Sequence, residues 1–449
     1  MVVCDPEPKA QRRARGRAAR AAAPRRALGD WSRPRGAPPA LATLRAQEAI
    51  RLPELLPIRY GRMSASPWTY FRGAAAVMAA DLATRAHSGL AVQLCGDAHV
   101  LNFGLWATPE RNLAFDLRDF DETLEGPFEW DLLRLATSLV VLARENGQGD
   151  RAAERAVVAM TTAYRDRLRS YVDADQMDVW YDAIHHDELL RYFAKPARRD
   201  AERFIERKQR RSTSRGSFAK LTAVLGGRRR IIEDPPFVTH DDDAHRLEVV
   251  REVFERYRES LQDDRSACLD RFRFVDVARQ VVGVGSVGMR VHLVLLEGPN
   301  GDPLFLQVKQ AGPSVYEEHL APSPYDNHGA RVVNGKRYIQ AATDIFAGWT
   351  SVEDVDFYVR QYRDMKIIPN AERLRRILPE FAAACGEVLA RAHAKTGDAV
   401  ALAAYLGKND DVVDAAVRFG RAYADQNERD HGDLVDAVAA GDVEAAPGW

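Results

Sequence analysis

The chain has 449 residues, of which 46% are hydrophobic, and this is enough for a sizeable core and about two or three domains. Its net charge of −1 gives no overall field that would attract nucleic acid or a membrane surface, and no apolar run reaches the roughly 18 residues of a membrane-spanning helix. The cysteines at positions 4, 95, 268 and 385 lack the spacing of a zinc site, so we expect reduced thiols in a cytoplasmic protein.

Residues 1–48 are rich in Arg, Ala and Pro and poor in large apolar side chains, as in "AQRRARGRAARAAAPRRALGDW". This composition predicts a disordered basic tail, because little apolar surface is present to offset the entropy of ordering. No apolar segment follows the arginines, so we expect no export signal. The tail is the part of the chain that could contact nucleic acid. A solvated tail without a function is the alternative.

The segment after the tail alternates between helical and strand patterns. Residues 67–86 predict a helix, and "GLAVQLCGDAHVLNFG" predicts a strand that runs into a loop. A short strand, "NLAFDL", precedes the acidic run "RDFDE", and "PFEWDLLRLATSLVVLARENG" predicts a helix that ends at Gly147. Residues 150–265 are mostly helical by pattern. Their basic stretch, at 208–230, predicts either a solvated helix face or a surface for an anionic acceptor.

The pattern changes to strands after residue 270. "FRFVDVARQVVGVGSVGMRVHLVLLEGPNGDPLFLQVKQA" has β-branched alternation and an evident turn, which predicts a small antiparallel sheet. "RVVNGKRYIQAA" predicts a further hairpin with Asn334 and Gly335 in its turn. We therefore expect a disordered tail (1–48), a mostly helical lobe (49–270), a small β-rich lobe (271–370) and C-terminal helices that return to the helical lobe (371–449).

Asp97, Asn102 and Asp119 are spaced as phosphoryl transfer requires. One carboxylate must lie near the attacking hydroxyl to orient it and take its proton, while a carboxamide and a second carboxylate hold Mg²⁺ against the phosphates. Four residues separate Asp97 from Asn102, as in the catalytic loop of protein kinases. Asp116 and Asp121 compete with Asp119 for the metal role, and we favour Asp119.

Two segments resemble aminoglycoside phosphotransferases and related small-molecule kinases. "GDAHVLNFG" is similar to their "HGDLHPGN" loop, and "DFDETLEGPFEWDLLRLA" is similar to the segment that follows it. The resemblance implies that Asp97 is the catalytic residue and that Asn102 and Asp119 bind metal. It also implies that Asp131 steadies the loop from the start of a helix, although the helix dipole alone favours an acidic residue there.

Two further positions of this loop differ in what they indicate. His99 matches the histidine that follows the catalytic Asp in those enzymes, and we interpret it as structural rather than as a ligand. Cys95 stands where those enzymes have a histidine before Gly-Asp. The hydrogen bonds that this histidine makes are therefore unassigned in the present chain.

Gly283, Gly285 and Gly288 form a GxGxxG pattern. A dinucleotide-binding turn would open a helix next, whereas here the alternating "MRVHLVLLEG" predicts a strand. The pattern favours the strand–loop–strand arrangement in which kinases cover the phosphates of the nucleotide. A plain hairpin, with glycines that allow its twist, is the alternative.

Lys309 ends the apolar strand "LFLQVK" and resembles the strand lysine of kinases that pairs with the nucleotide phosphates. A lysine there is costly to bury without a partner, and the expected partner is Glu317 or Glu318 from a helix predicted at "SVYEEHL". A lysine that extends along the surface into solvent is the alternative.

These motifs occur in an order that is rotated relative to kinases, with the catalytic loop before the Gly loop. We expect an α+β, protein-kinase-like two-lobe fold that is circularly permuted, with a mostly helical C-lobe and a small antiparallel sheet as N-lobe. "LARAHAKTGD" resembles the helix that precedes the catalytic loop in kinases. Landmarks such as "PIRYGRMSASPWTYFRGAA" and "QAATDIFAGW" also resemble a bacterial family of unknown function (domain of unknown function 2252), which supplies no reaction.

The expected function is an ATP- and Mg²⁺-dependent phosphotransferase that acts on a hydroxyl of an unidentified small molecule. The alternatives are a non-catalytic nucleotide-binding regulator and an AMP-transferring enzyme of the same fold. A metal-dependent phosphoesterase would need further elements besides "GDAH", and the sequence contains neither an upstream DxH nor a downstream GNHD. The expected partners are a nucleotide and a small acceptor, with no membrane and no nucleic acid except through the tail.

Overall fold

The computed structural model describes residues 7–211, 218, 220–240, 244–362 and 366–447, and it is mixed α+β. The helices of the first third are α1 (Lys9–Ala22), α2 (Ala40–Ala46), α3 (Leu56–Ser64), α4 (Pro67–Gly73), α5 (Ala75–Ala83) and α6 (Phe128–Glu145). Those of the middle third are α7 (Asp150–Ser170), α8 (Gln176–Tyr181), α9 (His186–Arg191), α10 (Lys195–Arg211), α11 (Ala244–Tyr257) and α12 (Asp263–Leu269). The last third contains α13 (His328–Ile339), α14 (Ala371–Leu374), α15 (Leu378–Thr396), α16 (Ala399–Leu406) and α17 (Asp411–Ala439).

The strands form small antiparallel sheets. They are β1 (Ala91–Leu94), β2 (Phe103–Ala107), β3 (Leu113–Leu117), β4 (Leu124–Pro127), β5 (Ile184–His185), β6 (Thr222–Leu225), β7 (Arg228–Ile231), β8 (Val238–Thr239), β9 (Arg273–Gln280), β10 (Val291–Glu297), β11 (Pro303–Ala311), β12 (Gly348–Val352) and β13 (Val355–Gln361). The largest sheet has the order β12-β13-β11-β10-β9-β8, while β1 pairs with β4, β3 lies between β2 and β5, and β6 pairs with β7.

The helical core is built around α6, which is buried along nearly its whole length. Helix α15 packs closely on α7, where a Cβ at Gly386 would lie 2.2 Å from the carbonyl oxygen of Met160. Gly147, at φ +65°, follows the end of α6 as the sequence predicted. None of the helices that the structure describes is long and apolar enough to cross a lipid bilayer. The thiols of Cys95, Cys268 and Cys385 are free, whereas Cys4 lies outside the described residues.

The expected disordered tail is wrong for residues 7–48, which are ordered and packed on the C-terminal helices. Helix α1 contacts α16 so closely that a Cβ at Gly16 would lie 2.1 Å from the carbonyl oxygen of Ala401. Arg12 donates to the Asp398 carboxylate, with Nη2 2.7 Å from Oδ1. Arg20 donates to two of the last carbonyls of α16, from Nε to Tyr405 O at 2.9 Å and from Nη2 to Ala404 O. The arginines therefore have carboxylate and carbonyl partners, which composition alone does not reveal.

The β-rich part begins earlier than the predicted boundary at residue 271. Strand β8 pairs with β9 at Val238 and Gln280, and the β6–β7 hairpin lies over Phe305 on one face of the largest sheet. Helix α11 covers the opposite face. The prediction missed this hairpin because its strands are four residues long and lie inside the basic stretch. Arg215 of that stretch lies outside the described residues.

The predicted hairpin around Asn334 and Gly335 is wrong, because both residues lie inside α13. Asn327 caps this helix, accepting a hydrogen bond from the N–H of Ala330 at 2.7 Å. A Cβ at Gly335 would lie 2.4 Å from the side chain of Thr123, so the glycine allows a close approach of the helix. The Asn-Gly pair thus has a packing role rather than a turn role.

Candidate active site

The loop between β1 and β2 is fixed by a carboxylate from α6. Gly96 has φ +87°, and a Cβ there would lie 2.1 Å from the carbonyl oxygen of Glu122, so glycine is required. The Asp131 carboxylate accepts hydrogen bonds from the N–H groups of Cys95 at 2.7 Å and of Gly96 at 3.1 Å. Asp131 lies in the first turn of α6. The loop is therefore held against the start of a buried helix.

A histidine from α15 lies on the same carboxylate. Nε2 of His393 is 3.4 Å from Oδ2 of Asp131, and its Nδ1 is 2.8 Å from the hydroxyl of Tyr164. Cys95 is buried, and burial raises the pKa of its thiol, so it behaves as a neutral apolar side chain. The sequence indicated "LARAHAKTGD" as a helix near this loop, but it gave no role to His393.

The Asp97 carboxylate is bound on one oxygen by Arg134. Nε of Arg134 lies 2.6 Å from Oδ1 of Asp97, and Nη2 lies 2.5 Å from the same oxygen. Arg134 is fully buried, with its guanidinium 4.5 Å from the centre of the Phe71 ring. Burial raises the pKa of Asp97, while the charge of Arg134 opposes the rise. The other oxygen, Oδ2, lies 3.8 Å from Nε2 of His99.

His99 is a buried, neutral imidazole. Burial lowers its pKa well below the usual value, and the nearby charges of Arg72 and Arg134 lower it further. Its ring lies edge-on to Trp68, with the centroids 5.9 Å apart. Nδ1 is buried and has no hydrogen-bond partner among the described residues. His99 therefore packs beside Asp97 as an uncharged group.

Asn102 and Asp119 present oxygen atoms to the cavity that Asp97 lines. Asn102 donates from Nδ2 to the carbonyl oxygen of Asp97 at 2.7 Å, so the oxygen of its amide is the atom left for a cation. Oδ1 of Asp119 is buried and accepts no hydrogen bond from a described residue. Such oxygens suit Mg²⁺. No group of three or more His, Cys, Asp or Glu that could hold a metal occurs among the described residues.

The three candidate aspartates after β2 have distinct environments. Asp116 is fully buried; Oδ1 accepts from Nη2 of Arg391 at 2.6 Å, and Oδ2 accepts from the N–H of Ala341 at 2.9 Å. Asp121 forms an ion pair with Lys309 and accepts from the hydroxyl of Tyr358 at 2.8 Å. Although burial alone would raise the pKa of Asp121, Lys309 holds it below its usual value. Only Asp119 among the three has an unpartnered buried oxygen.

The expected pairing of Lys309 with Glu317 or Glu318 is wrong. Nζ of Lys309 donates to Asp121 and, at 2.7 Å, to the hydroxyl of Ser286. Glu318 is exposed, and Glu317 accepts from the N–H of Ser314 at 2.8 Å. The residues after β11 form a loop rather than the expected helix, so the acidic run after β3 supplies the partner instead.

The glycines connect β9 to β10, in the predicted strand–loop–strand arrangement. Gly283 and Gly285 line the same cavity as Asp97 and Lys309, and Gly283 has φ +63° with open space around a built Cβ. Gly288 does not line this cavity. It has φ +94°, and its Cβ would lie 2.9 Å from the Arg51 side chain. The absence of a side chain at Gly288 therefore makes room for the Arg51 side chain, and Gly288 itself does not border the cavity.

Residues before α4 hold this Gly loop, a relationship that the sequence did not indicate. Nη1 of Arg51 donates to the carbonyl oxygen of Gly285 at 2.9 Å and also to that of Val287. The N–H of Leu52 donates to the carbonyl oxygen of Gly288 at 2.7 Å. The cavity below the loop has a volume of about 120 Å³, whereas pockets for drug-sized ligands run to about 300–1,000 Å³. A ligand as large as a nucleotide therefore does not fit the cavity in this conformation.

Arg72 and Glu122 complete the cavity, and neither was singled out from the sequence. Burial lowers the pKa of Arg72, and Nε of Arg72 has no hydrogen-bond partner among the described residues. Burial raises the pKa of Glu122 to about 7, although the N–H of Val315 donates to it. Arg72 lies within the "PIRYGRMSASPWTYFRGAA" landmark, and this resemblance is the sequence signal that could have identified it. The cavity thus combines carboxylates with three basic side chains, those of Arg51, Arg72 and Lys309.

Comparison with known proteins gives one match. A family model described as an uncharacterized protein conserved in bacteria (DUF2252) matches residues 51–437. No curated protein and no solved structure matches the chain. The matched region begins at Arg51. It therefore includes Arg51 and Leu52, which hold the Gly loop, as well as the β1–β2 loop and the lysine strand β11 that line the cavity.

Proposed function

We propose that this chain, which belongs to the bacterial family DUF2252, is an ATP- and Mg²⁺-dependent phosphotransferase with a kinase-like site that acts on a small-molecule hydroxyl. The observation that carries the proposal is that Asp97, Asp119 and Lys309 line one cavity, together with the Gly loop. The acidic loop and the lysine strand are about 200 residues apart in the sequence. Two unrelated motifs would have no reason to meet in this way.

Asp97 is the proposed base. Arg134 occupies Oδ1, so Oδ2 is the oxygen that accepts the proton of the attacking hydroxyl. The ion pair orients the carboxylate and opposes the rise in its pKa that burial causes, and both effects favour its use as a general base. Asp131 acts through the loop backbone and is a positioning residue.

Asn102 and Asp119 are the proposed ligands of Mg²⁺. The amide oxygen of Asn102 and the unpartnered Oδ1 of Asp119 fit a hard cation, because both are oxygen ligands on residues that line the cavity. When bound, the ion supplies neutralisation of the phosphate charge. Lys309, Arg72 and the N–H groups of the Gly loop would bind the phosphate oxygens, since they supply positive charge and donors on the facing wall.

The motif order is consistent with a circularly permuted kinase-like fold, which is part of the proposal. In chain order, strand β9 is followed by the Gly loop, strand β10, the lysine strand β11 and helix α13. This is the order that the nucleotide-binding lobe of a kinase requires. Helix α15, late in the chain, carries His393 to the Asp131 carboxylate beside the early catalytic loop. A permuted chain requires such a contact between late and early elements.

The second candidate is a nucleotide-binding protein of the same fold that does not transfer phosphate. It is favoured by the partners that the key residues already have, because Lys309 is bound to Asp121 and Ser286. AMP transfer remains a further variant, which uses the same residues with the nucleotide oriented differently.

The test compares the full chain with Asp97→Asn and Asp119→Asn variants. We expect MgATP to raise the thermal midpoint of the wild type, and ATP turnover to be measurable with a panel of small alcohols, sugars and amino alcohols. Asp97→Asn should reduce turnover by about 10²–10⁴-fold while ATP affinity changes little. Asp119→Asn should weaken the dependence on Mg²⁺ instead, and exposed Glu318→Gln is the matched control.

The products decide between the candidates. Release of ADP supports phosphate transfer, and release of pyrophosphate supports AMP transfer. ATP binding without either product supports the regulator. Failure of the wild type to bind ATP, or unchanged turnover in Asp97→Asn, would contradict the proposed function.

A further inference from the structure

A second cavity lies between the helical part and the largest sheet. Its volume is about 330 Å³, and it shares no lining residue with the candidate active site. The ends of β2 and β13, the start of β11 and the last turns of α13 surround it. We call it the cationic cavity because it is lined by Arg118, Lys336, Arg360 and Lys366.

Of the five basic side chains that line the cationic cavity, Arg111 has a partner of its own. None of its four named cations forms an ion pair with a residue that the structure describes. Asp344 also lines the cavity, but Oδ1 accepts from the N–H of Phe346 at 2.9 Å and Oδ2 from the N–H of Gln361 at 2.6 Å. Burial lowers the pKa of Lys336 to about 8. The four cations are partly buried, and like charges gathered around one cavity repel one another, so a compensating anion is expected.

Polar atoms at the wall of the cationic cavity are also unsatisfied. Trp106, Thr108 and Gln340 line it, each is more than nine-tenths buried, and each has a polar atom with no hydrogen-bond partner among the described residues. Nε of Arg118 is also buried and has no hydrogen-bond partner among the described residues. Unpartnered buried polar groups are rare in native proteins, and several around one cavity indicate a missing ligand or solvent. Trp106 Nε1 and Arg118 Nε can only donate, so they select a group that accepts.

We propose that the cationic cavity binds a small organic anion that carries a phosphate or carboxylate group. The basic side chains and the free donors would bind its charged group. Leu304, Ile345 and Phe346 also line the cavity and would cover its apolar part. A volume of about 330 Å³ falls at the lower end of the range for small-molecule pockets, which suits a metabolite rather than a polymer segment. The proposal does not depend on phosphoryl transfer, because it is tested by binding alone.

The experiment titrates the full chain with phenyl phosphate, benzoate and phenol by calorimetry at low salt. We expect the two anions to bind and the neutral phenol to bind at least about tenfold more weakly, because it lacks the charge that the cavity compensates. Lys336→Met should weaken the binding of the anions by about tenfold or more. Lys408→Met, which removes an exposed lysine, is the matched control and should bind them normally. Stronger binding of phenyl phosphate or of benzoate distinguishes a phosphate from a carboxylate ligand.

The thermal midpoint of Lys336→Met tests whether this variant loses binding only because it folds poorly. Because Lys336 is partly buried among like charges and forms no ion pair with a described residue, Lys336→Met should raise the thermal midpoint of the ligand-free protein, whereas replacing a merely structural lysine would lower it. Three results would overturn the proposal: no binding of either anion at millimolar concentration, undiminished binding to Lys336→Met, or complete displacement of the anion by MgATP. The last result would assign the cavity to the nucleotide itself.

Discussion

Nζ of Lys309 donates to the carboxylate of Asp121, a residue 188 positions earlier in the chain. The pair joins the lysine strand to the acidic segment that also carries Asp119. Lys309 is buried, whereas the Asp121 side chain is 26% exposed. Removal of Asp121 therefore leaves a buried charge, whereas removal of Lys309 leaves a charge that solvent reaches.

Replacing Asp121 should destabilise the protein more than replacing Lys309. Asp121→Asn leaves a buried ammonium without its counter-charge, and we expect a loss of about 3 kcal/mol in the free energy of unfolding. Lys309→Met leaves a carboxylate that water reaches, and the expected loss is about 1 kcal/mol. Urea unfolding of both variants and of the double variant measures this difference. Equal losses in the two single variants would contradict this asymmetry. A loss in the double variant that equals the sum of the single losses would show that the pair is not coupled.

Arg134 should matter for turnover through Asp97. Arg134→Lys keeps the charge but loses the guanidinium that donates from Nε and Nη2 to one oxygen, so Asp97 loses its fixed orientation. We expect ATP affinity to change little while turnover falls by about 10²-fold. Because Arg134 opposes the burial that raises the Asp97 pKa, Arg134→Gln should shift the acid limb of the pH–rate profile to higher pH. A profile that does not move would contradict this role.

Glu122 should make the protein less stable as the pH rises. Its folded-state pKa of about 7 exceeds the usual value of about 4.3, so the folded state binds the proton more tightly than the unfolded chain. The stabilisation is complete below about pH 4 and is lost as the pH rises to 7. Glu122→Gln should remove about 1–3 kcal/mol of this dependence in denaturant unfolding between pH 4 and 8. Glu318→Gln, at an exposed carboxylate, should follow the wild type throughout.

Arg51 should limit the motion of the Gly loop. Arg51→Met removes the donor to the carbonyls of Gly285 and Val287, so amides of residues 283–289 should exchange faster with deuterium by about tenfold. Nucleotide association should accelerate in the same variant, because the cavity must widen before a ligand enters. Arg45→Met serves as control, since Arg45 donates to Asp442 on the surface. Unchanged exchange would show that Arg51 does not limit the motion of the loop.

Local patterns predicted the elements whose sequence signal is short-range. The helix that ends at Gly147, the strand–Gly loop–strand unit and the position of Asp131 in a first helical turn all follow from periodicity and from glycine placement. The α+β class with small antiparallel sheets follows in the same way. In these cases residues within about 20 positions determine the structure.

The failures share a cause in long-range contact. The α1 arginines looked like a solvated tail until Asp398 and the end of α16 supplied their partners. Asn334 and Gly335 looked like a turn, although packing against Thr123 selects the helix. Glu318 looked like the partner of Lys309, although the true partner lies in another part of the sequence. None of these contacts leaves a periodic signal near the residue concerned.

The attachment of the β1–β2 loop to α6 has a consequence for how this family can diversify. Asp131 and Arg134 both come from the first two turns of a buried helix, so the position of Asp97 is tied to the packing of the whole core. A substitution that moves Asp97 must also disturb that core. Arg72 is tied to the same core, because the carbonyl oxygen of its neighbour Phe71 accepts from Nη2 of Arg134 at 3.2 Å. Under the proposed function, changes in acceptor preference among relatives should therefore accumulate at cavity residues outside α4 and the β1–β2 loop.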